Sequence, residues 1–211
     1  MHFAVDTETT GLKNSYPVEI AAVKVEDVLV NFCQRIRTTA DIDPRAQAVH
    51  GISKASLANC PSELQVMNSF MEFLLSNAGG RPIVLVAHNA KFDRDVIERA
   101  LQRCGLALPA NTTWECTMTM SRAQNHQYNK LSDCCARAGI PYDDGHCALP
   151  DAIMCALVFK SFFEDETSEI YAEALAQVNA EEEREHQERE AERIAEQVAE
   201  AEHESHAVDV A

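Results

Sequence analysis

Short apolar runs alternate along the chain with longer segments of helical period. "HFAVD" (residues 2–6) reads as a buried strand, and "VEIAAVKVED" (18–27) followed by "VLVNFCQRI" (28–36) reads as two further strands of a meander. A loop containing Pro44 leads to "AVHGIS" (48–53). In "PSELQVMNSFMEFLLSNAGG" the residues Leu64, Met67, Met71, Leu74 and Leu75 keep helical spacing, and Gly79 and Gly80 stop the helix. "PIVLVAHNA" is another buried strand. It runs straight into "KFDRDVIERALQRCGL", where Phe92, Val96, Ile97 and Leu101 fit a helix ended by Gly105. The pattern assigns no element to "TTWECTMTM". "NKLSDCCARAGI" then predicts a short helix closed by Gly139, and "GHCALPDAIMCALVFKSFF" a loop followed by an apolar helix with Pro150 near its first turn. Strands that first meander and then alternate with helices predict an α/β domain whose mixed sheet is covered by helices.

Composition changes this picture mainly at one end. The formal charge is -16, but residues 164–211 hold 17 acidic residues against Arg184, Arg189 and Arg193, whereas residues 1–163 hold 17 acids and 15 bases. A near-neutral domain over 1–163 therefore carries an acidic tail over 164–211, helical or disordered. Its strong helix formers include an i,i+4 pair of Glu185 with Arg189, but Ile194 and Val198 stand almost alone as apolar positions. A solvated helix is the simpler reading of the tail, and a segment that docks on a partner is the alternative. The eight cysteines form no CxxC pair, and residues 1–20 show no basic segment followed by a long apolar one. Reduced thiols in a cytoplasmic protein are expected, with no membrane partner, since apolar runs such as "IVLVA" fall far short of a membrane span.

The carboxylates carry the chemistry. Asp6 and Glu8 are two residues apart at the end of the first strand and so share a face. Asp93 lies just past another strand, and Asp151 opens a helix five residues after His146. Each has a plain structural explanation taken singly, as a strand end, a helix surface or a residue matched to a helix dipole. Together they lie where α/β domains build sites. Four carboxylates in a water-poor place repel one another, and hard divalent cations that prefer oxygen ligands resolve the conflict. His146 and Asp151 can serve one site only if His146 precedes the helix, because five residues on a continuous helix are separated by roughly 140°. An imidazole there suits removal of a proton from an attacking water; a surface loop histidine is the alternative.

"DTETTG", "HNAKFD" and "HCALPD", in this order, resemble the three motifs of the DnaQ-like (DEDDh) 3′-to-5′ exonucleases, the family of the proofreading subunit of bacterial DNA polymerase III. The resemblance spans roughly residues 2–160. It implies a ribonuclease H-like mixed β-sheet flanked by helices, and a site of two Mg²⁺ (or Mn²⁺) ions on Asp6, Glu8, Asp93 and Asp151, with His146 as general base. The implied reaction removes nucleoside 5′-monophosphates from 3′ ends, DNA favoured, with an exoribonuclease or oligonucleotide-trimming enzyme as the rival. By the same resemblance Thr9, Thr10 and Leu12 contact the last nucleotide past a turn at Gly11, and His50, Asn89 and Phe92 approach the substrate. Phe92 reads equally as a core residue of its helix, and His50 as a satisfied lone histidine.

Single-strand binding by such a site rests on stacking and backbone contacts, so sequence preference should be modest. Lys91, Arg94, Arg99 and Arg103 lie along one predicted helix and Lys130 and Arg137 on another, where a solvated face accounts for them. The function class that competes with the enzyme is an interaction protein, its acidic tail recruiting the domain to a DNA polymerase or replication factor.

Overall fold

The computed structural model describes residues 1–142 and 146–163. Expectations for residues 164–211, including the domain boundary before them and the tail's helicity, lie outside the described residues.

Strands β1 (His2–Thr9), β2 (Pro17–Lys24) and β3 (Asn31–Arg35) form the expected antiparallel meander, while β4 (Val84–Ala87) and β5 (Thr113–Cys116) add to the other edge in parallel. The sheet order is β3-β2-β1-β4-β5, so the acid-bearing β1 is central. Alternation sorts the side chains. Phe3 and Val5 of β1 and Ile20 and Ala22 of β2 face one side, where they join the core with Val66, Met67, Phe70 and Leu74 of α2 (Glu63–Ala78) and Ile97 and Leu101 of α3 (Ala90–Arg103). Ala4, Asp6 and Glu8 face the other side, which α6 (Ala148–Ser161) covers. α6 is buried from Ala148 through Phe159, which suits a helix that is apolar nearly all round.

Helix α2 turns inward a face that only partly matches the expected one, for Met67 and Leu74 are buried as their spacing suggests. Leu64 and Leu75 are exposed, and the buried stripe is Val66, Met67, Phe70, Leu74 and Ala78. The apolar residues available exceed one face, and packing on the sheet selects among them. Two helices and a strand had no sequence signal. α1 (Pro44–His50) occupies the expected loop: the Asp43 carboxylate accepts from Arg45 N–H at 2.8 Å, Pro44 preorganises the first turn and Gly51 closes it in the left-handed region at φ 71°. It buries only His50, so it leaves no apolar period. "TTWECTMTM" divides into β5 and α4 (Thr117–Ala123), both short and half-exposed. α5 (Leu131–Ala138) ends at Gly139 as expected and buries Cys134 and Cys135; all eight cysteines are free thiols. Among the described residues no helix is long and apolar enough to cross a membrane.

Candidate active site

Asp6 and Glu8 lie side by side on the α6 face of β1, and Asp151, on the first turn of α6, meets them from above. Carboxylate oxygens of the three lie within 4.8 Å of one another. Asp93 stands beside this trio. It sits in the first turn of α3 and is nearly fully buried, and its Oδ1 accepts from the Thr7 hydroxyl at 2.9 Å. Thr7 points to the α3 side of the sheet, opposite Asp6 and Glu8, so its hydroxyl fastens Asp93 to the strand that carries the other two acids.

The electrostatics record a conflict. Burial, then the charges of Asp93, Asp151, Glu8 and Glu19, hold the Asp6 carboxyl well above its ordinary range. Burial, with Asp151 and Glu19, pushes Glu8 up to about 8. Burial pushes Asp93 up to about 7 against the lowering effect of the Thr7 hydrogen bond. An all-oxygen donor set whose members resist ionising together fits a hard divalent cation, and it does not fit zinc, which prefers nitrogen and sulfur.

His146 lies in the loop before α6, one residue ahead of Cys147 at its N-cap, which meets the geometric condition for it to share a site with Asp151. Its side chain is exposed, and its backbone takes the left-handed conformation at φ 43°. That costs a non-glycine residue on the order of 1 kcal/mol, a strain typical of functional loops.

A cavity of about 940 Å³ adjoins Glu8 on one side, bounded by the turn Thr9–Leu12, by α1 and by Phe92. The Thr9 hydroxyl donates to Gly11 O at 2.7 Å, and the Thr10 hydroxyl accepts from Tyr16 N–H at 3.0 Å, so both threonine hydroxyls are spent on shaping this turn. Leu12 projects from it, 86% exposed. His50 is buried with both ring nitrogens engaged: Nδ1 accepts from Ile52 N–H at 3.0 Å, so Nε2 carries the proton and donates to Thr9 O at 3.1 Å. It ties α1 to the turn as a neutral imidazole, and burial depresses its pKa accordingly. Phe92 is half-buried and lines the cavity. Asn89 is not among the cavity's lining residues; it is an exposed, left-handed position (φ 66°) between β4 and α3, a backbone role that asparagine tolerates.

Sequence reasoning missed Glu19, Thr7 and His88. Glu19 is buried directly opposite Glu8 in the β1–β2 register. Its carboxylate accepts from Arg35 Nε of β3 at 2.9 Å and from Ala148 N–H, the first residue of α6, at 3.1 Å. Cys147, the N-cap, makes no side-chain cap bond, so a strand residue 129 positions away caps the helix that carries Asp151. Its one available signal was an acid in the otherwise apolar "VEIAAV". Glu19→Ala is expected to melt below Glu19→Gln by several degrees in thermal denaturation, because only the amide still accepts from Ala148. A buried donor left unpaired costs about 1–3 kcal/mol, and a chain of this size shifts by about 2–4 °C per kcal/mol.

The sequence profile of the RNase_T family, described as "Exonuclease", matches residues 3–159. The chain belongs to the DnaQ-like exonuclease family. Epsilon, a subunit of DNA polymerase III of Escherichia coli K12, is 30% identical over 185 residues, covering 80% of this chain and 73% of the relative. The PolC-type DNA polymerase III of Staphylococcus haemolyticus is 29% identical over 160 residues; there the chain spans only 11% of the relative's length. Among solved structures, the nuclease domain of 3′hExo, a DEDDh family member bound to rAMP, superposes with a TM-score of 0.61 at 16% identity over 75% of this chain and 88% of that one. The mixed sheet with its helical cover is thus the ribonuclease H-like exonuclease fold. By its membership the DnaQ-like domain described here is a hydrolase domain of exonuclease type, with a carboxylate cluster able to hold metal.

Proposed function

We propose that the protein is a metal-dependent 3′-to-5′ exonuclease that removes nucleoside 5′-monophosphates from DNA 3′ ends. The observation that carries this reading is the convergence of Asp6, Glu8 and Asp151 within 4.8 Å, with Asp93 held beside them. Asp6, Glu8, Asp93 and Asp151 would hold two Mg²⁺ or Mn²⁺ ions. Bound there, the ions would supply the positive charge that clamps the scissile phosphate, eases ionisation of the attacking water and stabilises the leaving 3′ oxygen. His146, on a loop open to solvent, takes the proton from that water and passes it to bulk. The cavity beside Glu8 receives the terminal nucleotide, where Leu12 and Phe92 offer apolar surface to the base and the turn of Thr9 and Thr10 forms the adjoining wall. His50 acts through the turn it fastens. Nothing in this geometry assigns Asn89 more than a backbone position.

DNA is favoured because the epsilon relative, which belongs to a DNA polymerase, is similar across most of both chains. Hydrolysis of RNA or short oligonucleotides is the second reading, favoured by the rAMP bound to the structurally similar 3′hExo domain. A cytoplasmic, replication-associated role with a polymerase or other factor held through the acidic tail is consistent with both the tail's composition and the polymerase relatives.

The experiment is digestion of 5′-labelled single-stranded DNA and RNA of one sequence in Mg²⁺. A ladder shortening from the 3′ end is expected, faster for DNA; intact labelled strands of both kinds would end the proposal. In the same assay His146→Ala is expected to lower kcat by about 10²–10⁴-fold, the usual range for loss of a positioned base. The stabilisation of the protein by Mg²⁺ should persist in that variant. Loss of the Mg²⁺ effect together with kcat would instead make His146 part of the metal site.

A further inference from the structure

The carboxylates stand between two cavities. The second, of about 680 Å³, has Asp6, Asp151 and His146 on one side and Arg122, Asn129 and Lys130 on the other. Its charge differs in kind from the first cavity, where Lys13 and Arg45 are offset by Asp41 and Asp43. Among the described residues that line the second cavity, the acids are Asp6 and Asp151, both part of the carboxylate cluster. With metal on those acids, the charge left among the described lining residues is that of Arg122 and Lys130.

Most other cations near the site are already committed. Lys91 pairs with Asp95, Arg94 with Glu98, Arg103 with Glu63 and Arg35 with Glu19. Arg137 donates to Tyr128 O at 2.7 Å and to Ser121 Oγ at 2.6 Å. Arg122 and Lys130 are exposed and form no ion pair among the described residues. The nearby Asp133 carboxylate is engaged by Lys130 backbone N–H at 3.0 Å.

The wall that carries them is fixed from beneath. Each cation follows directly on one member of a bonded pair, for the Ser121 hydroxyl donates to Asn129 Oδ1 at 2.6 Å. Asn129 Nδ2 donates to His126 O at 2.8 Å, and the His88 ring spans Thr117 Oγ1 and Asn129 O at 2.9 Å each. Burial depresses the His88 pKa, so it serves as a neutral brace at the end of β4. Two free cations are thereby presented on a rigid surface beside the carboxylates, an arrangement that suits phosphodiesters, whose contacts position a strand without reading its sequence.

We propose that the second cavity is a subsite for the phosphates on the 5′ side of the scissile bond, with Arg122 and Lys130 as its ligands. The strand then enters over α4 and the loop before α5, crosses the carboxylates, and seats its last nucleotide beside Leu12. This rests on the reading of the carboxylates as the site of 3′-end hydrolysis.

The test compares a single-stranded tetrathymidylate with the p-nitrophenyl ester of thymidine 5′-monophosphate, which has no upstream phosphate. In the Arg122→Gln/Lys130→Gln double variant of the full chain, the ratio of tetranucleotide to ester kcat/KM is expected to fall at least tenfold, through KM. The slope of log kcat/KM against log salt for the tetranucleotide should flatten by about 0.7 per lost phosphate contact, about 1.4 for the pair. An unchanged ratio and slope in an active enzyme would overturn the subsite alone. So would an equal loss on ester and tetranucleotide, which a general structural defect would give. A wild-type protein that hydrolyses neither compound would overturn both the subsite and the reading beneath it.

Discussion

Asp6→Asn is expected to abolish hydrolysis, by roughly 10³-fold or more, while raising the melting temperature of the metal-free protein. Both effects come from one position. Asp6 is central in the cluster and carries a carboxyl that burial and the charges of Asp93, Asp151, Glu8 and Glu19 all disfavour. An amide there has neither to take up a proton nor to bear charge beside those acids, so the apo protein gains stability. It would also remove a ligand of the proposed metal site formed with Glu8 and Asp151, and the loss of the metal's charge at the phosphate would cost on the order of several kcal/mol in the transition state. Thermal melts with and without Mg²⁺ separate the two: wild type should gain from Mg²⁺, and the variant should start higher and gain little. An inactive variant that also melts low would mean Asp6 supports the fold and not the metal.

The second large effect is on pH. Glu8, at about 8, and Asp93, at about 7, both bind protons more tightly in the folded chain than in the unfolded one, where carboxyls titrate near 4. The folded state therefore holds more protons across this window. Its stability without metal is full below about pH 4 as far as these groups are concerned, and falls as pH rises through about 7 to 8. The steps belong to the cluster and not to one residue, because the acids interact strongly. Metal bound there would reverse the trend, since it takes the ionised forms and competes with their protons. In chelator the melting temperature is expected to drop by several degrees between pH 5.5 and pH 8.5, and the Mg²⁺-induced rise should be larger at pH 8.5. A chelated protein equally stable at both values, with a Mg²⁺ effect independent of pH, would contradict the electrostatic account of the site.

The parts of the fold legible in the sequence are those with enough buried residues to set a period. β1, β2, β4, α3 and α6 each bury most of one face or both, and their order predicts the mixed sheet. α1, β5 and α4 were illegible because they are four to seven residues long and bury at most two side chains each. The inward face of α2 was legible only in part: Met67 and Leu74 are buried, but Leu64 and Leu75, as apolar as the residues it buries, are exposed. The carboxylates were visible because they interrupt apolar pattern at strand and helix ends. Glu19 was visible only as an acid in a buried strand, and its partner, the N-terminus of α6, is distant in sequence. Lys130 read as part of a solvated helix face; it lines the second cavity because Asn129 is clamped to Ser121 and His88, contacts that no local period encodes.

The most direct test of the central claim is the chemical identity of the product released from single-stranded DNA with a free 3′ hydroxyl in Mg²⁺, read by chromatography at early times. If Asp6, Glu8, Asp93 and Asp151 hold metal and His146 takes the proton of the attacking water, the water's oxygen bonds to phosphorus and the bond to the 3′ oxygen breaks, so free nucleoside 5′-monophosphates are the predicted product, one for each nucleotide lost. Release of nucleoside 3′-monophosphates, or of internal fragments before any mononucleotide, would contradict it.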